Sequence, residues 1–290
     1  MSLDHARTAV ITGAGSGIGR ALALALSRRG YKVGIVDIDL ESAQETLQEI
    51  KASGGTGEAY RCDVGDSAQV LAMADHFFET WNEVGLLVNN AGIGAGGFVG
   101  EASLEDWEKV IRVNLWGVIN GCHAFAPRMK LQGRGHIVNT ASTAGLVAVM
   151  GFASYSTSKA AVVAFTETLM VELAPFGIGV TVLCPSIVPT NIMEHSMEVL
   201  DVEGLEAYEW AAELIDTGMA CSRITCEDVA RMVIEGIEKD RLFVVTNKGS
   251  RSNWRNARMS PEKYFKLLAW LNRKGWLQGL LLWATKRGIA

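Results

Sequence analysis

Tyr155 and Lys159 stand four residues apart in Tyr155-Ser-Thr-Ser-Lys159, so on a helix the phenol and the ammonium share one face. A tyrosine with its reference pKa of about 10 is a poor base at neutral pH. A neighbouring ammonium favours the phenolate and lowers that pKa, which makes a group able to take or return a hydroxyl proton. The expectation is a Tyr155 phenol made more acidic by Lys159. Alone, such a pair on a helix surface is solvated side chain, so the chemistry depends on what the rest of the chain brings to it.

A second set of residues could hold a phosphate. Thr12-Gly-Ala-Gly-Ser-Gly-Ile-Gly19 follows an apolar run and precedes a helical one. Glycines at a strand-to-helix turn let backbone N–H groups approach a pyrophosphate, and the helix N-terminus adds a favourable dipole. Gly13, Ser16, Gly17, Ile18 and Gly19 are the loop positions that would line it. Asp37 lies 18 residues beyond Gly19, at the end of a second apolar run. A carboxylate there accepts hydrogen bonds from ribose hydroxyls and repels a 2′-phosphate. With no basic side chain inside the glycine loop, these residues favour NAD over NADP. Asp37 could instead cap the following helix, but Asp39 is the better candidate.

The elements that must position these groups alternate. Strands are expected at Thr8–Thr12, Lys32–Asp37, Glu58–Cys62, Leu86–Asn89, Gly135–Thr140, Gly179–Cys184 and Leu242–Thr246. Helices are expected at Ile18–Arg29, Leu40–Ser53, Ser67–Trp81, Ser154–Phe176 and Glu227–Glu238. Short apolar strands alternating with helices mean a mostly parallel, doubly wound sheet with helices on both faces, a Rossmann-type α/β fold. The 290 residues, 49% hydrophobic and 20% charged, suit one large domain with an ample core. Residues 1–250 are expected to form this domain, with a strand-free, irregular lid at about 186–222, and residues 251–290 a basic extension.

These motifs together resemble the short-chain dehydrogenase/reductase family, over about residues 6 to 246. The family's T-G-x-x-x-G-x-G is matched at Thr12–Gly19, its N-N-A-G at Asn89-Asn90-Ala91-Gly92, and its adenine-contacting Asp at Asp63-Val64. Its Y-x-x-x-K is matched at Tyr155–Lys159, its serine at Ser142 thirteen positions earlier, and its asparagine at Asn114. The resemblance implies hydride transfer between a nicotinamide dinucleotide and an alcohol or carbonyl. It gives Tyr155 the role of general acid/base, Ser142 a hydrogen bond to the substrate oxygen, and Asn114 a water linking Lys159 to solvent. Asn90, Ala91, Gly92, Pro185, Val188 and Thr190 would complete the cofactor site, with Thr190 meeting the carboxamide. The chain departs from the family at Pro185-Ser186, where Pro-Gly is usual. The resemblance also implies a homo-oligomer, dimer or tetramer.

Other chemistry is poorly supported. His5, His76, His123, His136 and His195 lack metal-ligand spacing, and neither a G-x-S-x-G elbow nor a Walker-type loop is present. Five scattered cysteines without a C-x-x-C pair fit a reducing cytoplasm, and no secretory signal is recognisable.

The substrate is expected to meet Ile93–Phe98, Thr143–Phe152 and the lid. Ala144, Leu146, Val147, Val149, Met150 and Phe152, with Ile192, Met193, Met197, Val199, Leu200 and Leu205, make these segments apolar, which suits a hydrophobic secondary alcohol or ketone. The same side chains could simply pack the lid onto the body. Eight lid acids (Glu194, Glu198, Asp201, Glu203, Glu206, Glu209, Glu213 and Asp216) would repel a carrier protein or phosphorylated substrate. That weighs against an NADP-dependent 3-oxoacyl reductase, the nearest alternative; a catalytically silent NAD-binding sensor or scaffold is the alternative of another class.

Charge is distributed unevenly. Residues 241–290 carry a balance of +10 and residues 1–240 one of −15, so the body is not built to grip nucleic acid. Helical stretches are expected at Pro261–Arg273 and Trp276–Ala284, the first with its apolar residues on one side. Three readings of this tail stand open: packing on the body or a sister subunit, peripheral contact with anionic membrane, or plain solvent exposure.

Overall fold

A computed structural model describes residues 7–190, 192 and 206–287, with the backbone alone for 206–209. Seven parallel strands form one sheet: β1 (Thr8–Thr12), β2 (Lys32–Asp37), β3 (Thr56–Arg61), β4 (Leu86–Asn89), β5 (Gly135–Thr140), β6 (Ile178–Cys184) and β7 (Phe243–Val245). Their order is β3-β2-β1-β4-β5-β6-β7. Ile11 pairs with Val88 and Asn89 with Asn139, so the carboxyl ends of β1, β4 and β5 lie side by side. Strand order reverses between β1 and β4, the switch point where such sheets open a crevice for ligands.

The strands are apolar throughout because both faces are covered. On one face Leu22 and Leu26 of α1 (Gly17–Ser27), Ile50 of α2 (Leu40–Ala52) and Val233 and Ile237 of α8 (Cys226–Glu238) pack with Ile11 and Val88. On the other, α3 (Ser67–Trp81), α5 (Gly117–Gln132) and α6 (Ala153–Leu173) bring Phe77, Phe125 and Val162 against Val10, Leu87 and Ile137. The expected fold and all seven expected strands are observed, with β1, β2, β4 and β5 at the expected bounds and β3, β6 and β7 shifted by one or two residues.

Three regions differ from the sequence expectation. No element is expected between Asn90 and Arg134, yet α4 (Leu104–Ile111), a π-helical turn (Arg112–Trp116) and α5 follow one another there. Part of the region expected to be irregular is a helix, α7 (Glu206–Cys221), with Ala211 and Leu214 on its buried side. Beyond β7, α9 (Lys248–Met259) precedes the two expected tail helices, α10 (Pro261–Arg273) and α11 (Leu277–Lys286). Met193, Met197, Val199, Leu200 and Leu205, and the acids Glu194, Glu198, Asp201 and Glu203, lie outside the described residues.

Candidate active site

The carboxyl ends of β4 and β5 and the first turns of α6 bring the four expected catalytic residues together. Ser142 follows β5, and its Oγ accepts from the Ala144 amide at 3.1 Å, opening a 3₁₀ turn. Ser142 stands close enough to Tyr155 for its hydroxyl to favour the phenolate. One turn along α6, Lys159 is buried; its Nζ donates to the Thr140 carbonyl at 3.0 Å and lies 5.7 Å from the Tyr155 ring centre.

Asn114 sits in the π turn, which rotates it inward, as such bulges commonly do at functional sites. Its Oδ1 accepts from the Ile93 amide and its Nδ2 donates to the Ile93 carbonyl, both at 2.9 Å. Nδ2 also reaches Ser158 Oγ at 3.3 Å, and Ser158 Oγ donates to the Tyr155 carbonyl at 2.7 Å. Ser158, hidden among the variable positions of the Y-x-x-x-K motif, thus couples Asn114 to the turn that carries Tyr155. Gly92 is required by close approach: a Cβ there would stand 3.0 Å from Asn114 Oδ1 and 3.2 Å from Lys159 Nζ.

The electrostatics correct one expectation. Burial pushes the Tyr155 phenol up from its usual value, opposed by the Ser142 hydroxyl, and Lys159 is not among the causes that move it. Burial pushes Lys159 down to about 8, with neighbouring Cys184 acting the other way. Desolvation penalises both charged forms here more than their proximity rewards them. At neutral pH the pair is a neutral phenol beside an ammonium.

The glycine loop has the features of an anion cradle. Gly13 and Gly17 adopt φ of +63° and +52°, and a Cβ on Gly17 would come within 3.1 Å of the Thr190 methyl. Ser16 precedes α1 without capping it, whereas Asp39 and Asp66 cap α2 and α3 with their carboxylates. Ile18 and Gly19 lie in the first turn of α1, whose leading amides are thus left for a ligand.

Neighbouring residues hold this loop in place. Thr12 Oγ1 accepts from the amides of Asn90 and Ala91 at 3.0 and 3.1 Å, and Asn90 Nδ2 donates to the Thr12 carbonyl at 3.1 Å. Asp37 Oδ2 accepts from the Gly15 amide at 2.9 Å, so its carboxylate stands directly against the loop. Asp39 is the cap, accepting from the Glu41 amide.

The remaining expected contacts fall nearby. Asp63 Oδ1 accepts from Gly65 N at 2.9 Å and Oδ2 pairs with Arg112 at 2.7 Å, while Val64 is buried against Gly117. The Pro185 carbonyl accepts from the Thr143 amide at 2.9 Å, and Val188 is buried. Ser186, at the departure from Pro-Gly, donates its amide to Thr246 Oγ1 at 2.9 Å and fastens the end of β6 to the residue after β7. These residues fit a dinucleotide: an open helix start, a glycine cradle and a carboxylate at the ribose position.

Tyr155 also lies where two apolar clusters meet. One holds Ile93, Ala95, Val110, Ile192 and Ile215; the other holds Val149, Phe152, Trp210, Leu214, Leu281 and Leu282. Leu281 and Leu282 come from α11, a contribution that no local pattern in the sequence reveals.

A parallel sheet with a phosphate-type loop at its switch point, and a Tyr-Lys-Ser-Asn group at the same edge, defines a dinucleotide-dependent oxidoreductase. Residues 7–200 match the short chain dehydrogenase family, and the chain belongs to it. SadH of Mycobacterium tuberculosis, an oxidoreductase by name, is 36% identical over 271 residues, spanning 93% of this chain and 96% of that protein. The 1-deoxy-11-beta-hydroxypentalenate dehydrogenase of Streptomyces exfoliatus is 33% identical, spanning 88% and 91%. A short chain dehydrogenase/reductase from Burkholderia phymatum, solved with NAD, superposes with TM-score 0.85 at 36% identity, covering 90% of this chain and 96% of that one. A Sphingobium yanoikuyae enzyme solved with NADPH superposes with TM-score 0.72 at 26% identity, covering 89% and 94%. Both forms of the cofactor therefore occur among the relatives.

Proposed function

We propose that the protein transfers a hydride between NAD(H) and a hydrophobic secondary alcohol or ketone, with Tyr155 moving the proton. The observation that carries this reading is the position of Tyr155: beside Ser142, one turn from a buried Lys159, and walled by apolar side chains. When bound, the nicotinamide supplies the hydride chemistry. Ser142 orients the substrate oxygen and stabilises charge developing on it. A phenol pushed up by burial is protonated at neutral pH and is ready to give its proton to a carbonyl oxygen undergoing reduction. In the oxidative direction the positive charge of the oxidised cofactor, when bound, would favour the phenolate. Reduction is accordingly favoured at lower pH and oxidation at higher pH.

NAD is preferred because Asp37, held by the Gly15 amide, would face the ribose hydroxyls and repel a 2′-phosphate. Asn90, Ala91 and Gly92 would flank the cofactor, Asp63 and Val64 its adenine, and Pro185, Val188 and Thr190 its nicotinamide end. The Streptomyces exfoliatus dehydrogenase is named for a hydroxylated compound, which agrees with an alcohol as substrate.

The test is a panel of secondary alcohols of increasing apolar size, assayed with NAD and with NADP at the absorbance of reduced nicotinamide. The expected result is turnover that rises with apolar size and favours NAD. Tight NAD binding with no turnover across alcohols and ketones would instead identify a sensor, and a preference for NADP with 3-oxoacyl substrates would identify a ketoacyl reductase.

A further inference from the structure

The C-terminal helices leave an apolar face that the body does not cover. Among the described residues, α10 buries none of its own, although its sequence is amphipathic. Phe265, Leu267, Trp270, Trp276 and Trp283 are 44–58% exposed. Trp270 and Trp276 meet edge to face at 5.5 Å, and Trp276 and Trp283 border a shallow groove of about 400 Å³ together with Leu271 and Leu280. The same two helices and their junction carry Lys263, Lys266, Arg273, Lys274 and Lys286, all exposed, and Arg287 stacks 4.3 Å over Trp283. The single acid of the tail, Glu262, is paired with Lys266.

We propose that α10 and α11 dock the protein onto an anionic lipid bilayer. An amphipathic, cationic helix with tryptophans at the edge of its apolar face is built to lie in the interface between headgroups and acyl chains. Among the described residues no helix is long and apolar enough to cross a membrane, which matches lying on the bilayer. Charge complementarity selects this occupant over a second copy docked tail to tail, because a two-fold contact would press one strongly cationic tail against another.

Docking also affects the site. Leu281 and Leu282 of α11 pack against the Phe152, Ala211 and Leu214 cluster that Tyr155 also borders, so a docked tail sets that cluster beside the lipid. Resting on the hydride-transfer reading, this means that the substrate is an apolar alcohol or ketone drawn from the bilayer.

The experiment compares the full chain with a Trp270→Ser, Trp276→Ser, Trp283→Ser variant. Both are floated with vesicles of neutral lipid alone or with added phosphatidylglycerol. Both are also assayed on a long-chain secondary alcohol held in the vesicles and on a short soluble one. The native chain is expected to float with anionic vesicles, less so in high salt, and hardly at all with neutral ones. The variant, with unchanged circular dichroism, is expected to lose flotation and the rate on vesicle-held alcohol while keeping its rate on the soluble one. Failure of the native chain to float, equal flotation of the variant, or flotation lost with the vesicle-held rate unchanged would each overturn the proposal. So would a native dimer that the substitutions split, without vesicle binding, since the face would then belong to a second copy. Flotation without turnover of either alcohol would keep the docking surface and reject the hydride-transfer reading.

Discussion

The sheet edge that carries Tyr155 and the tail that carries Trp270 expose polar and apolar groups for opposite reasons. In the body, side chains cap α2, α3, α4 and α8 (Asp39, Asp66, Ser103 and Thr225), and each helix buries one face. α1, α5 and α6 start without a side-chain cap, and of these α1 opens at Ser16 directly onto the glycine loop. In the tail the exposure is apolar: no residue of α10 is fully buried, Phe265, Leu267 and Trp270 are exposed, and the helix carries exposed cations. The two proposals each rest on an unsatisfied face, one offered to a dinucleotide and the other to a lipid surface. Polar incompleteness at a helix start suits an anion, and apolar incompleteness along a helix side suits an interface.

If body and tail divide the work in this way, substitutions at the sheet edge should cost turnover and leave vesicle flotation untouched. Lys159→Met is expected to lower kcat by roughly 10²–10⁴-fold, the usual contribution of a positioned proton-transfer group. A loss below tenfold would mean that the ammonium plays no part.

The same variant tests the electrostatics. Burial has pushed Lys159 down from 10.5 to about 8, so between those values the unfolded chain holds a proton that the folded chain has released. Folded stability of the native chain therefore rises with pH across that window and is lost as pH falls through about 8. Denaturant melts should show Lys159→Met the more stable of the two near neutral pH, with the native chain gaining on it by up to about 3 kcal/mol as pH rises to the upper value. A pH-independent difference would contradict the burial account.

Asp37→Ala is expected to shift the preference between NAD and NADP by roughly tenfold toward NADP, about 1.4 kcal/mol. An unchanged ratio of kcat/KM values would remove Asp37 from cofactor selection. Smallest is Gly17→Ala, which must hold a φ of +52° with a methyl 3.1 Å from Thr190. It should weaken dinucleotide binding and folding by about 1 kcal/mol each, read by calorimetry and by denaturant melts.

Much of this was legible in the chain because the local pattern and the tertiary role coincide. The buried strands read as short apolar runs, and the glycine loop and the Tyr155–Lys159 spacing read directly as site geometry. The stretch from Asn90 to Arg134 did not, because its helices carry residues that normally signal breaks. Pro127 lies inside α5, and Gly121 is there because a Cβ would strike Asn89 Oδ1 at 2.0 Å. The π turn that aims Asn114 has no local signature of its own. α7 lies in a stretch that reads as strand-free and irregular, although its acids equally suit a solvated helix face.

Two features depend on contacts distant in sequence. Trp254 counts among the tail tryptophans by position but packs on Phe243 of the body, at 4.6 Å between ring centres. Leu281 and Leu282 reach the Tyr155 clusters only through the path of the chain beyond β7. The protonation balance at Tyr155 was misread for a related reason: spacing reports the nearness of the ammonium but not the desolvation that outweighs it.

The central claim is that the Tyr155 hydroxyl carries the proton in a hydride transfer. It is tested most directly by Tyr155→Phe, which removes that oxygen alone, with NAD binding measured by calorimetry and turnover of an apolar secondary alcohol measured on the same preparation. The account predicts a dissociation constant within a few-fold of the native value and turnover reduced by at least about 10²-fold. Substantial residual turnover with NAD still bound would contradict it.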